Sequence, residues 1–204
     1  QDTIDVRGIS LPSVPDTGEV SEGDNYTIGN NVTSDIAIRK ALNYGINRTA
    51  LAEGALNGLG VPSFDGIAHQ LPWANSEAAI EYGDIEYANK PLEEAGWVDS
   101  DGDGIREKDG TKASFEIYYS ASAPERQALA LGVAEQAKEF GIEVEPIGAE
   151  WDEIYPNEYS QGVLWGYGST DPSDMYGEYY SSSDFNPASV NNSAVDAHMD
   201  AAFA

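Results

Sequence analysis

The chain has 204 residues and a mass of 21.9 kDa, and its 41% hydrophobic share is enough for a packed core, which excludes wholesale disorder. Lys and Arg number 10 against 36 Asp and Glu, a net charge of −26 with pI near 4.1; a surface this negative repels nucleic-acid phosphates and anionic lipid. Cysteine is absent, which removes disulfides, thiolate zinc sites and cysteine nucleophiles, and His69 and His198 are too few for a histidine-rich metal centre.

Gln1–Val32 is rich in Gly, Pro, Ser, Thr and Asp. It predicts one short strand over Asp5–Leu11, ended by Pro12, and then a loop over Ser13–Asn31. A loop of that length inside a compact domain predicts a packing partner that the sequence does not contain. Ser34 or Asp35 caps a helix with Ile38, Ala41 and Leu42 as its apolar stripe and Gly45 as its stop. Asn47 caps a second helix that buries Leu51, Ala52, Ala55 and Leu56, and Gly58 to Trp73 is loop. A third helix spans Asp84–Ala95, with Pro91 expected to kink or weaken it, and Trp97 is expected to pack back on the core.

Ala113–Ser120 reads as a strand. Ser122 then caps the clearest helix, with Pro124 in its first turn and Leu129, Val133, Ala137 and Phe140 along its buried face. Ile142–Ile147 is a strand, Trp151–Tyr159 a short helix weakened by Pro156, and Val163–Tyr167 a further strand. Met175–Tyr180 and Ser193–Ala204 are helical. Strand, long helix, strand, short helix, strand is an α/β order. No apolar run approaches the roughly 18 residues of a membrane helix. The start at Gln1 and the last helix, which has no stop signal, are those expected of a processed or excised piece.

Asp99-Ser100-Asp101-Gly102-Asp103-Gly104-Ile105 matches the front half of a calcium loop, with oxygen donors at positions 1, 3 and 5 and a glycine for the sharp turn. Position 12, where a bidentate Glu belongs, is Gly110, although Glu107 can contribute. Asp99, Asp101, Asp103 and Glu107 are therefore either a weak structural calcium site or an acidic turn in which the side chains satisfy loop amides. No catalytic or nucleotide-binding fingerprint occurs, and no cofactor other than calcium is expected. Trp165-Gly166-Tyr167-Gly168-Ser169-Thr170-Asp171-Pro172 places aromatics and glycines at the carboxyl end of a strand, where open α/β sheets bind ligands; an aromatic core residue followed by an ordinary loop reads the same way.

Three segments carry a resemblance by their order and spacing: Ile28–Arg48 (IGNNVTSDIAIRKALNYGINR), Ala88–Gly110 (ANKPLEEAGWVDSDGDGIREKDG) and Trp165–Tyr176 (WGYGSTDPSDMY). Together they resemble the family 5 extracellular solute-binding proteins, the binding components of ABC importers for oligopeptides, dipeptides and nickel. The resemblance implies an α/β chain forming one lobe, the second, of a two-lobed periplasmic-binding-protein-like (type II) fold. Residues 1–32 would be a hinge-proximal strand and loop, and 33–204 a ligand-binding lobe truncated at both ends. It implies a non-enzymatic, extracytoplasmic protein, periplasmic or a cell-surface lipoprotein, that hands a peptide or related small solute to an ABC permease. Its partners would be that permease and a first lobe supplied by the same parent chain, with no nucleic acid.

On this resemblance Trp165, Tyr167, Gly168, Ser169 and Asp171 face the ligand. Peptide binders of the family place an Asp three residues after the strand Trp to pair with the ligand ammonium; here that position is Gly168. Asp171 could substitute only if the loop bends back. The alternative function is a calcium-stapled extracellular protein-interaction module.

Overall fold

A computed structural model describes residues 3–203. Its main sheet is built from β1 (Val6–Ser10), β4 (Ser114–Ser120), β5 (Glu143–Ala149) and β6 (Gly162–Tyr167) in the order β1-β6-β4-β5, while β2 (Glu107–Lys108) and β3 (Thr111–Lys112) form a separate hairpin. β4 pairs in parallel with both β5 and β6, and β1 closes one edge antiparallel to β6, with Gly8 opposite Trp165 and Ile9 opposite Leu164.

The helices are α1 (Ile36–Gly45), α2 (Arg48–Ala55), α3 (Ile85–Glu94), α4 (Pro124–Lys138), α5 (Trp151–Ile154), α6 (Met175–Tyr179) and α7 (Ser193–Phe203). α4 is the crossover between β4 and β5, and it packs on both strands through Leu129, Val133 and Ala137 with Phe140 just beyond its end. Side chains alternate across β4, so Phe115, Ile117 and Tyr119 join that core while Tyr118 joins a smaller cluster of Ala149, Ile154 and Val163 on the opposite face. Each large aliphatic side chain buried this way contributes about 1.5–3 kcal/mol.

Asp35 caps α1 as the sequence predicts, accepting the Ala37 amide at 2.9 Å. Its other oxygen accepts Trp97 Nε1 at 3.0 Å and Lys108 Nζ at 2.8 Å, tying α1, the segment after α3 and the β2–β3 hairpin together. Burial alone would raise the Asp35 carboxyl, but these three hydrogen bonds outweigh it and hold the group below its ordinary value. Arg106 is a second staple, donating to the Phe140 carbonyl at 3.1 Å, the Trp97 carbonyl at 2.8 Å and Asn89 Oδ1 at 2.9 Å. Gly45 lets α1 approach α3: a Cβ there would lie 2.4 Å from the Phe140 ring and 2.9 Å from Ala88 Cβ.

Two local expectations change, and one hairpin goes beyond them. α4 is capped at Ala123 with no side-chain bond, because the Ser122 hydroxyl lies 3.0 Å from Ser120 Oγ instead. α3 runs through Pro91 to Glu94, within the expected span, and buries Ala88 and Leu92 completely. The β2–β3 hairpin was legible in its Asp109-Gly110 turn, where both residues have positive φ (51° and 82°), the geometry of a two-residue hairpin loop. The long loop after β1 finds its partners within the chain: Gly29 N donates to the Tyr159 carbonyl at 2.8 Å, Asn30 Nδ2 to the Ser160 carbonyl at 2.8 Å, and Ser13 N to the Ala188 carbonyl at 2.8 Å.

Candidate functional site

A groove of about 1060 Å³ runs along β1 and past the carboxyl end of β6, walled by α1, α2, the segment 57–70 and α4. Its apolar wall includes Leu42, Leu51, Leu56, Leu129 and Leu164, and its polar groups, among them Arg7, Arg39, Arg48, Asp65 and Glu178, are spread around it. Antiparallel pairing puts Arg7 of β1 directly opposite Gly166 of β6, on the same face of the sheet as the first turn of α4. Arg126 comes down from that turn, so a Cβ on Gly166 would lie 2.7 Å from both Arg126 Nη2 and Arg7 Nη1. The glycine leaves room for two guanidinium groups at one spot.

These two cations share two carboxylates, Asp5 and Glu125. Arg7 pairs with Asp5 and lies 4.0 Å from Glu125, while Arg126 donates to the Leu164 carbonyl at 3.2 Å. The Nε atoms of both arginines are enclosed without a hydrogen bond. Burial, and then repulsion from Arg7, hold the Arg126 guanidinium below its ordinary pKa. Glu125 and Asp5 already oppose these effects, and an anionic group of a bound molecule would add to that attraction. Sequence reading missed this pair; the signal was two of only 10 basic residues on β1 and at the start of α4.

Trp165 projects to the other face. It stacks on Trp151 at 5.6 Å and 17°, meets Phe185 edge-on at 5.8 Å, and donates Nε1 to Ser10 Oγ at 2.8 Å. Tyr155 extends the row on Trp151 at 5.6 Å, and the Arg126 guanidinium lies 5.5 Å from the Trp151 centroid. The outer rings, Tyr155 and Phe185, are 44% and 36% exposed. Trp151, absent from the sequence-based site, holds Trp165 together with Phe185 and Ser10.

Of the residues singled out by sequence, Trp165 and Tyr167 line the groove; Gly168, Ser169 and Asp171 do not. Asp171 caps a 3₁₀ turn over Pro172–Asp174, accepting the Ser173 amide at 2.9 Å, and that bond holds its carboxyl below the ordinary value. Ser169 Oγ pairs with Asp174 and accepts the Asp171 amide at 3.0 Å. The loop is thus folded on itself, with the Asp171 carboxylate engaged in capping the turn that follows it.

The acidic loop does gather. Asp99, Asp101, Asp103 and Glu107 each offer a carboxylate oxygen, all within 4.8 Å of one another. The same side chains accept loop amides: Gly102 N and Gly104 N donate to Asp99, Asp103 N to Asp101, Ile105 N to Asp103 and Ser100 N to Glu107. Lys112 Nζ reaches Asp103 and lies 3.7 Å from Asp101, so an ammonium already offsets part of the charge.

The family model described as bacterial extracellular solute-binding proteins, family 5 Middle, matches residues 13–187. The chain belongs to this family. It is 36% identical to Protein XP55 of Streptomyces lividans over 98% of its own length and 35% of that protein, and 31% identical to the nickel-binding periplasmic protein of Escherichia coli over 60% of its length and 24% of that protein. The oligopeptide-binding protein AppA of Bacillus subtilis is 32% identical over 75% of this chain and 30% of AppA. The structure of AppA in complex with a nonapeptide superposes with a TM-score of 0.82 at 26% identity, covering 99% of this chain and 39% of that one. The chain therefore spans about a third of the length of its curated relatives.

Family 5 solute-binding proteins are binding components of ABC transporters, extracellular or periplasmic, and not enzymes. The α/β architecture here is that of one lobe of the type II periplasmic-binding-protein fold. These matches give no support to the protein-interaction alternative. Among the described residues no helix is long and apolar enough to cross a membrane.

Proposed function

We propose that this chain is the second, cleft-forming lobe of a longer solute-binding protein that delivers a peptide or related small solute to an ABC permease. The observation that carries the reading is the groove at the carboxyl end of β6, lined by Arg7, with Arg126 meeting Arg7 over Gly166 beside it. Open α/β sheets bind ligands outside their strand ends, and a pair of guanidinium groups with unbonded Nε atoms suits a ligand carboxylate. Residues 1–32 act as the hinge-proximal segment and 33–204 as the ligand-binding lobe. The first lobe of the parent chain closes the cleft from the other side, and the parent is free in the periplasm or held at the cell surface as a lipoprotein.

Within this reading Trp165 and Tyr167 face the ligand from the groove, and Gly168, Ser169 and Asp171, in the loop that follows, meet it from outside the groove wall. The loop of Asp99, Asp101, Asp103 and Glu107 is a weak structural calcium site: four oxygen donors converge, but no carboxylate fills position 12 and Lys112 competes for two of them. Titration calorimetry of peptides against the complete gene product, with Arg126→Ala as the variant, tests the reading. Peptide binding that weakens by about 10–100-fold in the variant supports it; unchanged binding removes the arginines from the site.

A further inference from the structure

Between α2 and α3 the chain runs as an arm whose one regular element, among the described residues, is a 3₁₀ turn over Ser76–Ala78. Phe64, Asp65, Gly66 and Gln70 of this arm line the groove. No backbone hydrogen bond joins residues 60–83 to another part of the described chain. The directional holds on the arm are side chains. Gln70 Nε2 donates to the Thr3 carbonyl. The guanidinium of Arg48, in the first turn of α2, lies 5.5 Å from the Phe64 centroid and 5.4 Å from the Tyr82 centroid, over two rings that are 5.6 Å apart and tilted by 52°. Thr49 Oγ1 meets Tyr82 Oη at 2.7 Å. Gly83, at φ 73°, then brings the arm back against the cap of α2: a Cβ there would lie 3.0 Å from Asn47 Cβ.

Arg48 forms no ion pair among the described residues. Its two terminal nitrogens donate to Asn43 of α1, one to the carbonyl at 2.9 Å and one to Oδ1 at 2.7 Å, and this fork sets the plane of the guanidinium. A guanidinium with a fixed plane and no carboxylate partner is attracted to ring faces within about 6 Å. A groove wall with no ladder hydrogen bonds belongs to the least stable part of a fold, so what holds it sets the fraction of time the wall is formed. We propose that Arg48 is a positioning residue of the solute groove: it latches the arm through Phe64 and Tyr82 and so keeps Phe64, Asp65 and Gly66 in place as the wall that the solute meets. The proposal rests on the solute-binding reading and names the contact that keeps the groove formed.

The test uses the complete gene product and two readouts. Chymotrypsin cuts after aromatic residues, and Trp73 lies within the arm, so the rate of the cut after Trp73, followed by mass spectrometry, reads how often the arm opens. Calorimetry with trialanine reads the groove. Arg48→Gln and Tyr82→Leu should each hasten the cut by about 3–10-fold and weaken trialanine by about 2–5-fold. Tyr82 does not line the groove, so its effect on affinity comes through the wall. Tyr82→Phe keeps the ring, loses the Thr49 bond, and should behave as wild type in both readouts. Faster cleavage in both variants with no trialanine binding even by wild type upholds the latch and counts against the peptide reading alone. Cleavage at the wild-type rate in either variant, or faster cleavage with trialanine affinity unchanged, overturns the proposal. So does affinity lost in Arg48→Gln but kept in Tyr82→Leu, which would make Arg48 a direct contact of the solute. A Tyr82→Phe arm cut as fast as Tyr82→Leu would trace the hold to the Thr49 bond and overturn it as well.

Discussion

Trp165 lies nearly parallel on Trp151, with ring centroids 5.6 Å apart and planes 17° from one another. The strand residue that the sequence marks as a ligand platform is thereby held by a ring from the segment after β5. A stacked pair of this kind is worth about 0.5–1.5 kcal/mol beyond its area burial. Trp151→Ala should lower stability by about 1–3 kcal/mol in chemical denaturation and change the Trp165 fluorescence. Denaturation and emission both unchanged would show that Trp165 is fixed by Ser10 and Phe185 alone.

Asp35 caps α1, receives the indole N–H of Trp97, which is 2% exposed, and pairs with Lys108. Asp35→Ala removes all three at once and leaves a buried donor without an acceptor, so a loss of about 2–4 kcal/mol is expected. Asp35→Asn keeps the cap and loses the ion pair, with a loss of about 1 kcal/mol. Urea melts of the two variants separate these contributions; equal losses would mean that the cap contributes little.

The legible part of the fold was the part governed by local pattern. Apolar spacing found Ile38, Leu42, Leu129, Val133 and Ala137, and all of them are buried. Asp35, Asn47 and Asp84 cap as short polar side chains before apolar runs should. What escaped depends on pairing between distant segments. Arg7 meets Arg126 only because β1 lies antiparallel beside β6, and Trp151 meets Trp165 only because the segment after β5 turns back over the sheet. No window of sequence contains either contact. The Asp109-Gly110 hairpin is the opposite case, since its signal was local but was absorbed into the acidic loop beside it.

Glu158 is 5% exposed, its Oε2 has no partner, and burial, with a further push from Asp24, raises its carboxyl to about 7 despite a hydrogen bond with Tyr159. The folded chain therefore keeps a proton that the unfolded chain, at the ordinary 4.5, has released. This contribution to stability is full below about pH 4.5 and is lost as pH rises through about 7, a change of at most about 3 kcal/mol. Glu158→Gln should melt higher than wild type at pH 8, and the gap should shrink towards pH 5. A gap independent of pH would show that Glu158 does not titrate in this range.

The acidic loop carries its own stabilising contacts through five loop amides and Lys112. Calcium at millimolar concentration should raise the melting temperature by only a few degrees, corresponding to about 1 kcal/mol or less. Chelation should leave the chain folded. A large rise with trace calcium, or unfolding in chelator, would make the ion part of the fold itself.

The most direct test of the central claim compares peptide binding by the 204-residue chain and by the complete gene product in one calorimeter. Two lobes that close on a ligand share its contacts, so one lobe alone forfeits much of the binding free energy. Measurable peptide affinity is expected for the complete product and affinity at least ~100-fold weaker for this chain, with Arg126→Ala reducing both. Equal affinity of the two proteins, or a complete product that binds no peptide or related small solute, would contradict it.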